Sequence, residues 1–220
     1  MGIPGLRACR IHLGALAAVL SLLGCAHTRT VIVEVPPRID LRPHHTIGIV
    51  EFSSNTTEDL NRAATQSFMG FVQEAQPEVR FLELGPEYRL ARSVGRDSLD
   101  MEALQKIQER YGIRSIFTGH FEISGVKPRV SLGADLSSVR ASAVVSVSMV
   151  SKQWETGSGA TIWSNSRRGL WKVAGIRSDS GDLSFHVNNP EDQYERHLEE
   201  LAFAITDPFR PHYEKRKVPK

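Results

Sequence analysis

Thr46-Ile47-Gly48-Ile49-Val50-Glu51-Phe52, followed by the polar turn Ser53-Ser54-Asn55-Thr56-Thr57, decides the fold. Near-continuous apolar character over so short a run is the signature of a strand buried on both faces. A helical pattern follows over residues 58–75, with Leu60, Ala63, Ala64, Phe68, Phe71, Val72 and Ala75 recurring on one face. Thr56 and Asp59 fit a capping box at its start, and Pro77 ends it. A second strand over 79–84 stops at Gly85-Pro86. Strand, helix and strand in that order call for a parallel pair with a helix packed across it.

Downstream, Asp100 is placed to cap a helix over 101–111, with Leu104, Ile107 and Tyr111 as its apolar stripe and Gly112 as its stop. A strand over 113–123, a loop over 124–140 and two strands over 141–154 and 160–173 follow, the last two joined at Gly157-Ser158-Gly159. Asn189-Pro190 opens a final helix, and Asp207-Pro208 closes it. The order β-α-β-α-β-β-β-α predicts an α/β (α+β) domain, one mixed sheet with helices packed on it, over residues 44–208.

The N-terminus reads differently. Arg7 and Arg10 precede an apolar run over 13–23 that is too short for the ~20 residues of a spanning helix. A cationic start, a short apolar run and small residues after it describe an export signal. The run ends in Leu22-Leu23-Gly24-Cys25, which resembles the bacterial lipobox. That motif implies cleavage before Cys25, a diacylglycerol on its thiol and a fatty acyl group, such as palmitate, on the new N-terminus. Residues 1–24 are thus read as signal peptide, 25–43 as lipidated cysteine and tether, and 209–220 as a basic tail. Ala26 stands where an inner-membrane retention signal shows aspartate, which favours the periplasmic face of the outer membrane. The tether, stiffened by Pro36-Pro37, reaches at most ~60 Å when fully extended.

Lipidation changes the rest of the arithmetic. The two cysteines are Cys9 and Cys25, so the mature domain has no thiol for a disulfide, a thiolate metal site or a nucleophile. Without Arg7 and Arg10 the 27 cations become 25, equal to the 25 acids, and a neutral chain argues against general nucleic-acid binding. No phosphate-cradling loop, nucleophile elbow or zinc-helix motif occurs, so no metal or cofactor is expected. His44 and His45 are adjacent in an extended segment and point to opposite sides, which suits a solvated linker pair. His120 reads as a satisfied sheet residue, and Glu51 as a structural ion pair or a sheet-end carboxylate rather than a catalytic base.

The opening strand and turn resemble those of CsgG/LpoB-type lipoprotein domains. So do the segment Tyr111-Gly112-Ile113-Arg114-Ser115-Ile116-Phe117-Thr118-Gly119 and the hairpin ending Gly159-Ala160-Thr161-Ile162-Trp163-Ser164. The similarity runs over residues 46–205. It implies an α/β architecture related to the N-terminal domain of TolB. Leu84-Gly85-Pro86-Glu87 departs from the family's aspartate-arginine pair. CsgG itself forms a secretion pore with membrane-inserted hairpins, but residues 124–140 and 167–185 carry charges that break the apolar face such strands need. LpoB-like proteins reach a peptidoglycan synthase on a long tether, and the tether here is short.

What remains is surface chemistry. Trp154, Trp163 and Trp171 with Arg167 and Arg168 form a candidate partner-binding group, since tryptophan and arginine dominate binding hot spots; the same tryptophans would also fit under the helices. Arg210, Lys215, Arg216 and Lys217 are candidate contacts to anionic lipid or envelope polymer. The expectation is a non-enzymatic, outer-membrane-anchored interaction module for envelope assembly or secretion, with an unidentified envelope protein as partner and a homo-oligomer open. The alternatives are a subunit of a CsgG-like export ring, a peptidoglycan-synthase activator and a hydrolase with a cryptic site.

Overall fold

The computed structural model describes residues 28–132, 139–179, 182–187 and 191–219. The lipobox and signal lie outside the described residues. Two units emerge. One comprises residues 37–210 and the other holds the chain's two ends.

The larger unit is built on an eight-stranded mixed sheet among the described residues, with the central order β4-β2-β5-β7-β8-β9. β2 (Thr46–Glu51) is the decisive apolar strand, and four of its six residues are buried. It runs parallel to β4 (Arg80–Pro86) on one side and β5 (Ser115–Ile123) on the other. The short β3 (Ser53–Ser54) continues alongside β5. Beyond β5 the sheet turns antiparallel through β7 (Val139–Glu155), β8 (Thr161–Asp179) and β9 (Asp182–Val187). β6 (Lys127–Leu132) pairs with the early part of β7.

Helices cover the two sheet faces unequally. α1 (Glu58–Ala75) and α4 (Glu191–Ile205) lie on one face and bury Phe68, Val72, Leu198 and Ile205 with Phe117, Met149 and Trp163. α2 (Glu87–Ser93) and α3 (Met101–Tyr111) lie on the other and bury Leu90, Leu104 and Ile107 against Val50, Ile113 and Ile116. Phe117 is the hub of the first core, with its ring 5.2 Å from Phe68, 5.8 Å from Trp163 and 5.7 Å from Phe209.

The mixed α/β class and its principal elements follow the sequence reading. Five local expectations change. Thr57, not Thr56, is the N-cap residue of α1, and its side chain makes no cap bond; the Thr56 hydroxyl bonds Ser54 instead, 2.8 Å away. The second strand does not stop at Gly85-Pro86 but runs through both residues, and Pro86, at φ −68°, is the N-cap residue of α2. The loop over 124–140 contains β6, where Pro128 is tolerated because β6 bonds only to β7. β8 runs to Asp179 rather than ending at 173, because its last residues pair with β9.

The fifth change concerns the chain ends. β1 (Thr28–Val35) pairs over its full length with β10 (His212–Pro219) in an antiparallel ribbon. The segment read as a tether and the segment read as a basic tail are thus two strands of one element.

Candidate functional site

The nominated tryptophans and arginines do not form one cluster, because successive residues of a strand point to opposite faces. Trp163 is 9% exposed, in contact with Phe117 and Phe209, which makes it a core residue and removes it from the surface set. Trp171 faces the same way. It stacks on His197 of α4 at 4.1 Å and donates its indole N–H to Glu200, 3.1 Å away. Glycine at 169 leaves room for that ring, since a Cβ there would collide with it. Arg167 is exposed and bonds to Asn165, whose amide in turn donates to the Ile205 carbonyl of α4.

Trp154 and Arg168 lie on the opposite face. The Trp154 indole N–H donates to Thr118 at 2.9 Å, its ring packs against the α2–α3 core, and the Lys152 ammonium lies 5.5 Å above it. Arg168 donates to the Ser146 hydroxyl at 2.8 Å. Register places Ser148 and Val150 of β7 between His120 and Glu122 of β5 and Ser166 and Arg168 of β8. These side chains line a shallow groove. Trp154 packs against the α2–α3 core, and among the described residues no helix is packed on the outward residues of β7 and β8 on the side of Trp154 away from the hairpin. Lys152, Ser164, Ser166, Arg168 and Lys172 are exposed there, with Ile162 at 44% and Leu170 at 55%.

His120 has acquired neighbours that the sequence did not suggest. Its Nδ1 is 2.9 Å from the Ser53 hydroxyl, and its Nε2 is 3.6 Å from Glu122. Serine, imidazole and carboxylate in line invite comparison with a catalytic triad. Such a triad works through a buried carboxylate that holds the imidazolium and through preorganised oxyanion donors. Here the Glu122 side chain is 67% exposed and the ring 45%, so solvent screens the pair. The contact satisfies His120 within the sheet, as expected.

A second concavity, about 360 Å³, opens at the C-terminal ends of β2 and β4. Glu51, Glu58, Glu87 and Asp97 line it together with Arg62 and Arg89. Glu51 is therefore a sheet-end carboxylate, partly exposed on the rim. No group of acids and histidines among the described residues converges as a metal site would. His44 ends a short 3-10 turn, and burial lowers its pKa from the usual imidazole value.

The basic candidates also divide. Arg210 folds back on α4, its guanidinium 3.6 Å from the Phe203 ring centroid and bonded to the Phe203 carbonyl. Burial lowers its pKa. Arg216 is held by Glu214, 3.2 Å away. Lys215 and Lys217 are exposed and carry no ion pair among the described residues.

No family model and no curated protein matches the sequence. Solved structures with a similar chain path include the PelC dodecamer from Paraburkholderia phytofirmans (14% identity, TM-score 0.40, 83% of this chain and 98% of that one). Another is the lipoprotein GNA1162 from Neisseria meningitidis (14% identity, TM-score 0.33, 63% and 84%). The LpoB C-terminal domain from Salmonella enterica is a third (11% identity, TM-score 0.34, 61% and 84%). No helix among the described residues is long and apolar enough to cross a membrane. What the chain does is therefore argued from its own residues.

Proposed function

We propose that this chain is an exported lipoprotein, acylated on Cys25 and held at the periplasmic face of the outer membrane. Its domain acts without catalysis, binding another envelope protein during assembly or secretion. The observation that carries the reading is the helix-free face of β7 and β8. An antiparallel sheet tolerates one wet face, and Ser148, Ser164 and Ser166 suit water. Ile162 and Leu170 are less at home there; Lys152 lies diagonally across from Ile162, and Arg168 and Lys172 flank Leu170. Ile162 and Leu170 lie about 26 Å apart along β8, each beside a cation, and so suit an extended partner surface that offers apolar contacts flanked by acids.

A photocrosslinking residue at Ser166, compared in cells with one at the exposed Glu199 of α4, tests this. The expected result is one discrete adduct from position 166, absent from 199 and lost in the variant K152E/R168E. An adduct of twice the chain mass would identify the partner as a second copy and favour the export-ring alternative. Equal labelling from both positions, or none from 166, contradicts the assignment of this face.

A further inference from the structure

The β1–β10 ribbon is a two-stranded sheet on its own, and such a ribbon is marginal in water without a surface to rest on. Its register assigns every side chain to a face, because residues directly opposite in an antiparallel pair share one. Val31, Val33 and Val35 lie with Arg216, Glu214 and His212 on the first face, where Glu214 bonds to both Arg216 and His212. Thr30, Ile32 and Glu34 lie with Lys217, Lys215 and Tyr213 on the second. The second face is the open one, with Ile32 70% and Tyr213 69% exposed. It also carries the two cations that no acid neutralises among the described residues.

Charge is graded along the ribbon as well. Arg29, Arg216 and Lys217 gather at the end where the chain enters, whereas Glu34 and Glu214 sit toward the far end. That cationic end is the one nearest Cys25. Thr28 is three residues beyond the cysteine and so at most about 11 Å away, whatever lies between. Lys217 stands opposite Thr30, which puts it within about 24 Å of the same position. The register therefore returns the C-terminus to the anchor.

We propose that the second face of this ribbon rests on an anionic phospholipid surface. Lys215 and Lys217 would engage headgroup phosphates, and Ile32 and Tyr213 would enter the interface. A tyrosine is suited to that depth, with an apolar ring and a polar tip. Charge complementarity and the short leash to the lipid decide for a bilayer over a soluble polyanion. The inference rests on the acylation of Cys25 argued above, and it adds a second, electrostatic attachment. The acyl chains at Cys25 hold the protein at the bilayer, and the basic patch would fix how the ribbon lies on it.

Hydrogen exchange tests it on the mature lipidated protein reconstituted into two kinds of vesicle, phosphatidylcholine alone and phosphatidylcholine with phosphatidylglycerol. Amides of 28–35 and 212–219 are expected to exchange roughly twenty-fivefold more slowly on the anionic vesicles, about fivefold for each free cation. High salt and the variant K215A/K217A should each abolish the difference, while amides of β2 and β5 stay unchanged and show the domain intact. Equal exchange on both vesicles overturns the proposal. So does protection that is insensitive to salt and rises with protein density, which would mark a second copy's ribbon as the occupant. The acyl mass on Cys25, read on the same preparation, tests the underlying lipidation separately.

Discussion

Gln76 follows the last residue of α1 and is 6% exposed, yet every polar atom of its amide is engaged. Its oxygen accepts from the Leu41 N–H at 2.8 Å, and its nitrogen donates to the carbonyls of Ile39 and Phe209 at 2.7 and 3.0 Å. Gln76→Leu would strand these groups, and urea denaturation should show a loss of at least about 2 kcal/mol. His197 presents the opposite case. It is 1% exposed, neither ring nitrogen has a hydrogen-bond partner among the described residues, and burial lowers its pKa from 6.5. Above that value it is neutral in both folded and unfolded chains. As pH falls below it the unfolded chain takes the proton first, so stability declines until the folded pKa is reached. His197→Phe keeps the stack on Trp171 and should flatten the urea-midpoint profile as pH falls below about 6.5. An unchanged slope would show that His197 is not the titrating group. Neither residue's role was legible in the sequence. Gln76 bonds partners 35 to 133 positions away, and the tryptophan that covers His197 comes from β8, 26 residues earlier in the chain.

At the scale of elements, legibility followed locality. The bounds of α3 could be read to the residue, although Tyr111, placed on its apolar stripe, is exposed, because its signals are its own: the Asp100 carboxylate accepts from the Ala103 N–H at 2.8 Å, and Gly112 closes the helix at φ 69°. No atom crowds a Cβ at Gly112, so Gly112→Ala isolates the backbone cost. Thermal and urea melts should register about 1 kcal/mol of destabilisation. An unchanged midpoint would mean that the left-handed cap contributes nothing. β6, β9 and β10 escaped because an edge strand takes charges and proline that a buried one refuses, and because pairing across the chain, not local pattern, makes them strands. The hot-spot candidates were not brought together, for a related reason. Tryptophan and arginine were counted by type, whereas the two-residue period of β8 sends Arg167 and Arg168 to opposite faces.

On the scale of the whole molecule, the account joins an anchor and a surface. Apolar periodicity made the sheet and its helices readable, and the acylation proposed at Cys25 rests on four adjacent residues. The proposed binding face was not, since it is defined by where α2 and α3 end rather than by any motif. Everything proposed for the domain presumes that it is held at a membrane outside the cytoplasm. Intact-mass spectrometry of the protein extracted from bacterial membranes addresses that directly. The predicted result is an N-terminus at Cys25 carrying the added mass of a diacylglyceryl group and a fatty acyl chain. A chain that begins upstream of Cys25, or one that begins at Cys25 with no added mass, would contradict it.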